Sequence, residues 1–183
     1  SSAASDVYKR QFQYVVPPET FFEGIYCLLP GHYLWYRDGK VTTTRYFEAT
    51  FKPDESLTLD KAVDEIEAVF EDSVNAHKIS DVEVGCFLSS GVDSSYVSTY
   101  FADQKTFTVG FDFGDHYNEI SWAKRLSEKI GVDHHTKLIG SDEFWGAVPK
   151  VQYQMDQPLA DPSCIALYFV SKLASKYVKL SLI

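Results

Sequence analysis

The sequence predicts an α/β protein: a parallel sheet with helices on both faces, preceded by a β-rich segment. Three observations predict it. From Val82 onward, strand-like and helix-like stretches alternate, a pattern that favours parallel strands joined by crossover helices. The first of those strands runs into a Ser/Gly turn that opens a helix. Before residue 53 the chain is instead rich in aromatics and turn dipeptides.

The elements follow in order. Tyr33, Trp35 and Tyr36, then Val41 to Phe47, suit β-strands, and Asp38-Gly39 between them is a hairpin signal. Pro30-Gly31 marks another turn. Asp54 to about Ser80 reads as a helix, with Leu59, Ala62, Val63, Ile66, Val69, Phe70 and Val74 at helical spacing. Thr58 is its candidate N-cap; Asp60 near the start and His77 and Lys78 near the end suit the helix dipole. Charge opposite the apolar stripe places this helix on a surface between two units. Val82 to Leu88 alternates as a strand, Ser94 to Phe101 reads as a helix, and Thr106 to Phe111 as a strand. Glu119 to Ile130 is helical, stopped by Gly131. Asp133 to Ile139 is a strand, Ser141 to about Tyr153 a helix, and Pro162 or Ser163 opens another.

Bulk properties narrow the function. The 183 residues suit one domain, or one domain and part of another. A net charge of −9 argues against a broad nucleic-acid surface, which needs clustered Lys and Arg. No apolar run approaches the ~20 residues that span a bilayer, and the N-terminus lacks the basic-then-apolar order of a secretory signal, so the expected location is the cytoplasm. Cys27, Cys86 and Cys164 are widely spaced and read as three buried free thiols. His134 and His135 on a strand lack the spacing of a metal site.

The sharpest local signal is Leu88-Ser89-Ser90-Gly91-Val92-Asp93-Ser94-Ser95. A strand–turn–helix of this kind points backbone N–H groups at whatever fills the turn. Gly91 allows close approach or a positive φ, and the hydroxyls of Ser89, Ser90, Ser94 and Ser95 add uncharged donors. Only Asp93 disfavours an anion; it fits if a Mg²⁺ ion lies between it and phosphate, or if it caps the helix. The loop lacks the Walker A pattern and the G-x-S-x-G of a nucleophile elbow.

The same loop resembles the S-G-G-[LIV]-D-S-[ST] signature of the PP-loop ATP pyrophosphatases (adenine nucleotide alpha hydrolase-like), with Ser90 in place of the first Gly. More of the chain resembles the glutamine-hydrolysing asparagine synthetase family. Asp81 to Ser95 is similar to its segment around the signature, and Thr106 to Phe111 to its second strand. Asn118-Glu119 followed by Ala123 resembles its next helix start. Met155 to Ser163 resembles M-D-E-P-x-x-D-P-S, with Gln157 replacing Glu. Leu29-Pro30-Gly31-His32-Tyr33 resembles the L-P-P-G-H-Y that closes the family's glutaminase domain. The likeness runs from Glu19 to Lys179.

The resemblance implies MgATP and L-aspartate as substrates, adenylation to β-aspartyl-AMP with release of pyrophosphate, and amidation by glutamine-derived ammonia. It assigns Ser89, Gly91, Asp93, Ser94 and Ser95 to the phosphates, with Asp93 at the metal, and places Leu88 and Val109 beside the adenosine. Leu88 and Val109 are also ordinary core positions for a strand. Glu119 reads equally as a first-turn acid, and Asp156 and Asp161 as turn residues. The implied partners are small molecules, neither nucleic acid nor membrane, and a homodimer of the full-length enzyme is compatible.

Residues 1–11 and 180–183 resemble a translated sequencing adapter, with Leu180 to Ile183 also suited to a strand. The expected organisation is residues 12–55 as the tail of the glutaminase domain, 56–80 as a connecting helix and 81–179 as the first part of the synthetase domain. The glutaminase Cys nucleophile, the S-G-E-G-x-D-E motif and the later catalytic Lys are expected to lie outside this sequence, leaving a fragment unable to make asparagine. Two alternatives stand beside this reading: a related amidoligase acting on another carboxylate, and a non-catalytic nucleotide-binding module.

Overall fold

A computed structural model describes residues 13–101, 104–114, 118–156, 158 and 160–182. The adapter-like N-terminus, Gln157, Leu159 and Ile183 lie outside the described residues. The chain divides into two compact units, Ser1–Ser56 with Gln152–Asp161, and Leu57–Val151 with Pro162–Ile183.

In the first unit, β1 (His32–Arg37) and β2 (Lys40–Arg45) form an antiparallel hairpin with Arg37 opposite Lys40. Asp38 and Gly39 both have positive φ, 51° and 77°, as the tight turn that matches strand twist requires. The second strand stops at Arg45, short of the expected Phe47. The reason is local: the amides of Tyr46 and Phe47 both turn to the carbonyl of Gly31, at 2.8 and 3.2 Å. Gly31 must be glycine there, because a Cβ would lie 2.3 Å from the Phe47 carbonyl oxygen and φ is +70°. No described residue of this unit is buried. Cys27 is accordingly half-buried, a correction to the expectation of three buried thiols; Cys86 and Cys164 are buried as expected.

In the second unit, α1 (Leu59–His77) is capped by the Thr58 hydroxyl, which accepts from the Lys61 amide at 3.4 Å. It starts later than the expected Asp54. The Asp54 carboxylate accepts from both the amide and the hydroxyl of Ser56, at 2.9 and 2.6 Å, and that turn competes with helix. Of the apolar stripe, Val74 is buried and Phe70 half-buried, whereas Leu59, Val63, Ile66 and Val69 are exposed.

The sheet contains β3 (Val84–Phe87), β4 (Lys105–Phe111), β5 (Asp133–Ile139) and β6 (Leu180–Leu182), all parallel, in the order β5-β4-β3-β6. The helices between them are α2 (Val92–Thr99), α3 (Ile120–Ile130), α4 (Ser141–Gln154) and α5 (Ser163–Ala174). Gly131 ends α3 in the left-handed conformation, φ 76°. Leu180–Leu182 forms a strand that pairs with Val84–Cys86.

Both sheet faces are covered, as alternation of strand side chains demands. Phe87, Phe107 and Val109 pack with Val170, Leu173 and Ala174 of α5 and with Val178. Val84, Cys86 and Leu182, on the opposite face, pack with Phe70 and Val74 of α1, Val97 of α2 and Phe101. Burial pushes the Cys86 thiol from its ordinary 9.0 up to about 12. His134 Nδ1 lies 2.9 Å from the Thr106 hydroxyl; burial, then the neighbouring His135, lowers its pKa. No helix among the described residues is long and apolar enough to cross a membrane.

The chain builds outward from β3 to β4 to β5 and then returns to β6 on the other side of β3. The strand order therefore reverses beside β3, and in such sheets the crevice beyond the carboxyl ends at the reversal is where ligands bind.

Candidate functional site

The loop that leaves β3 sits at that reversal. Leu88 extends the strand by one residue, donating its amide to the Phe107 carbonyl at 2.9 Å. The buried Thr108 hydroxyl donates to the Leu88 carbonyl. Both backbone groups of Leu88 are thus tied to β4, and the chain turns away only at Ser89.

The turn is held by a closed hydrogen-bond circuit. The Ser94 hydroxyl oxygen accepts from the Ser89 amide at 3.1 Å, lies 2.7 Å from the Ser89 hydroxyl, and donates to the Gly91 carbonyl at 3.2 Å. The Ser89 hydroxyl oxygen accepts from the Gly91 amide at 3.1 Å. Each hydroxyl has one proton, so with Ser94 donating to Gly91, Ser89 donates to Ser94, and both protons are spent within the loop. In this arrangement the Ser89 and Ser94 hydroxyls shape the turn.

Gly91 is the N-cap of α2, with φ −70° and ψ 149°, so it does not use the positive φ that glycine allows. Its hydrogen matters for space, since a Cβ would lie 3.2 Å from the Ser89 hydroxyl and 3.8 Å from that of Ser94. Ser90 is not among the residues of positive φ, so replacing a glycine with it costs no backbone strain. Asp93 is exposed in the first turn of α2, and the helix has no side-chain cap; the capping alternative for Asp93 is therefore corrected. The first-turn amides, at Val92, Asp93 and Ser94, have no such cap. Ser95 is half-buried and donates its amide to the Gly91 carbonyl at 3.1 Å.

Beside the loop lies a cleft of about 520 Å³, within the range of small-molecule sites. Phe87, Leu88, Phe107, Val109, Phe111, Leu167 and Val170 give it apolar walls; Ser89, Ser94, Thr108, Glu119 and Ser163 supply its polar edge. Of the residues expected at the site, Leu88, Ser89, Ser94 and Val109 line the cleft, while Gly91, Asp93 and Ser95 belong to the loop and helix start beside it. Among the described residues, neither Lys nor Arg lines the cleft.

The sequence predicts Glu119 as a first-turn acid of α3. The structure places it at the N-cap of that helix without any side-chain bond to it. Its carboxylate instead accepts from the Ser90 amide at 3.2 Å. The usable signal was topological: in a parallel sheet the helix start after β4 lies next to the loop after β3. Asp156 has φ +59°, in keeping with a turn residue.

A family model described as Asparagine synthase matches residues 65–183. The chain is 39% identical over 176 residues to asparagine synthetase [glutamine-hydrolyzing] 1 of Bacillus subtilis (strain 168), covering 93% of this chain and 28% of that protein. It is 38% identical over 179 residues to a putative asparagine synthetase [glutamine-hydrolyzing] of Mycobacterium tuberculosis (strain ATCC 25618 / H37Rv), covering 93% and 27%. A protein named Amidase chry2 of Gibberella zeae is 29% identical over 174 residues, covering 83% and 26%. The chain thus spans little more than a quarter of the length of these relatives.

Proposed function

The chain belongs to the asparagine synthase family, and on that premise we propose that it carries the ATP-binding part of a glutamine-dependent asparagine synthetase. The observation that most supports this is the uncapped start of α2, placed at the reversal of strand order and beside an apolar cleft. A polyphosphate takes the first-turn amides of Val92–Ser94, and an adenosine lies in the cleft against Leu88 and Val109. The Ser89–Ser94 circuit keeps the turn in shape while Gly91 leaves room at its centre.

The donor set fits Mg²⁺. Asp93 is an exposed carboxylate at the phosphate loop, and magnesium sites commonly use one or two carboxylates plus substrate phosphates. Among the described residues no group of three His, Cys, Asp or Glu side chains forms a protein-only cage. When bound, the ion neutralises charge on the departing pyrophosphate.

The proposed reaction has two steps. A side-chain carboxylate oxygen of L-aspartate attacks the α-phosphorus, the bond to the bridging oxygen breaks, and pyrophosphate leaves. Ammonia, supplied from glutamine, then attacks the acyl carbon of β-aspartyl-AMP and AMP departs. Residues 12–55 are the end of a glutaminase domain, 56–80 connect, and 81–179 begin the synthetase domain of a longer cytoplasmic enzyme. Its test is incubation of that enzyme with MgATP, L-aspartate and ammonia: pyrophosphate and asparagine appear together if the reading holds. Pyrophosphate that ignores aspartate overturns the substrate.

A second reading, a relative that amidates another carboxylate, draws on the likeness to proteins named amidases. Release of pyrophosphate with a different carboxylic acid, and none with aspartate, would select it.

A further inference from the structure

We propose that Glu119 is a specificity residue that guards the phosphate loop: its carboxylate holds the Ser90 amide until an anion arrives together with a divalent cation. The proposal rests on the phosphate-binding reading above and adds a residue and a selectivity to it.

Three observations carry it. First, the bond itself joins residues 29 apart in sequence, with the Ser90 amide donating to Glu119 Oε2 at 3.2 Å. A carboxylate on an amide at a strand–loop–helix turn makes the bond that a phosphate oxygen would make. The neighbouring amides do not compete for it, because Ser89 donates to Ser94 and Gly91 to Ser89. Ser90 is therefore the loop amide that Glu119 has taken.

Second, Glu119 is delivered to that position by a built support. Gly110 of β4 has no side chain, and a Cβ there would lie 2.5 Å from Asn118 Oδ1 and 2.9 Å from Ile120 Cδ1. The space lets the start of α3 press against the strand. Asn118 Oδ1 then accepts from the Ile120 amide at 3.1 Å, which fixes the turn on which Glu119 stands. Glu119 occupies the N-cap of α3 yet makes no capping bond with its side chain. Its carboxylate serves the loop, not its own helix.

Third, two carboxylates stand at the loop among the described residues. Glu119 lines the cleft, and Asp93 stands in the first turn of α2. A bare polyphosphate meets two carboxylates and must displace one of them. A polyphosphate that carries Mg²⁺ brings the positive charge that releases Glu119 from Ser90 and offsets the repulsion.

The test is calorimetric titration of inorganic pyrophosphate, with and without Mg²⁺, into the longer enzyme and its E119Q variant. Glutamine keeps the length and an oxygen able to accept from Ser90, and removes only the charge. The gate predicts that E119Q binds metal-free pyrophosphate about tenfold more tightly, with little change for the magnesium complex. The gain shrinks at high ionic strength, as a charge effect must. E119A, which removes side chain and charge together, gives the same direction of change. A merely structural role for Glu119 predicts instead equal weakening with and without the metal. Wild-type binding of magnesium pyrophosphate together with unchanged or weaker metal-free binding by E119Q overturns the gate and leaves the phosphate loop standing. Failure of the wild-type enzyme to bind pyrophosphate under either condition overturns both.

Discussion

Ser94→Ala removes the hub of the loop. The Ser94 hydroxyl accepts from the Ser89 amide, lies within bonding distance of the Ser89 hydroxyl, and donates to the Gly91 carbonyl. Three bonds at a net 0.5–1.5 kcal/mol each would give roughly 1.5–4.5 kcal/mol if the loop were dry. Ser89 and Ser94 are half-buried and Gly91 exposed, so water takes over part of the loss, and about 1–2 kcal/mol is the expected cost. Alanine also favours helix, which recovers only a few tenths of a kcal/mol at a first-turn position. Equilibrium urea denaturation measures the stability loss, as a lower midpoint at unchanged slope. The same slackness must be removed each time a phosphate binds, so calorimetry of MgATP should give affinity lower by about tenfold. An unchanged midpoint together with unchanged MgATP affinity would refute the circuit as the device that shapes the turn.

Other predictions follow from the same geometry. Asp93→Ala abolishes Mg²⁺-dependent pyrophosphate release in the full-length enzyme while leaving the unfolding midpoint nearly unchanged, because the side chain is exposed and caps nothing; near-normal release would refute its metal role. Phe107→Ala empties a fully buried site between β4 and α5, and should cost about 3–5 kcal/mol by urea denaturation. The Cys86 thiol, raised by burial from 9.0 to about 12, favours the folded state only while neutral in both states. Its contribution is full below pH 9 and lost as pH climbs from there toward 12, which a pH series of denaturation midpoints on wild type and Cys86→Ala would show as converging curves. At pH 8 the buried thiol should resist alkylation until the protein unfolds, read by mass spectrometry.

Much of the fold was legible because it depends on near neighbours. Asp38-Gly39 demanded a tight hairpin turn, and the alternation from Val82 onward demanded parallel strands on both of whose faces helices pack. Thr58 was legible as a cap, yet the helix start was misplaced at Asp54, because a carboxylate two residues before a serine can build a turn that competes with helix. The strand–turn–helix form of the loop was legible from its serines and glycine, but the use of those serines was not. Whether Ser94 faces outward or back to Ser89 depends on how five residues fold over one another. Glu119 was least legible, since its partner lies 29 positions away and only the packing of Asn118 against Gly110 brings them together.

The central claim concerns which atom of ATP is attacked, and oxygen labelling reads that directly. L-aspartate carrying ¹⁸O in its side-chain carboxylate is incubated with the full-length enzyme, MgATP and ammonia, and the nucleotide and phosphate products are analysed by mass spectrometry. Attack on the α-phosphorus, followed by departure of AMP from the acyl carbon, predicts one ¹⁸O in AMP and none in pyrophosphate. Label in inorganic phosphate, with ADP as the nucleotide product, would contradict the account.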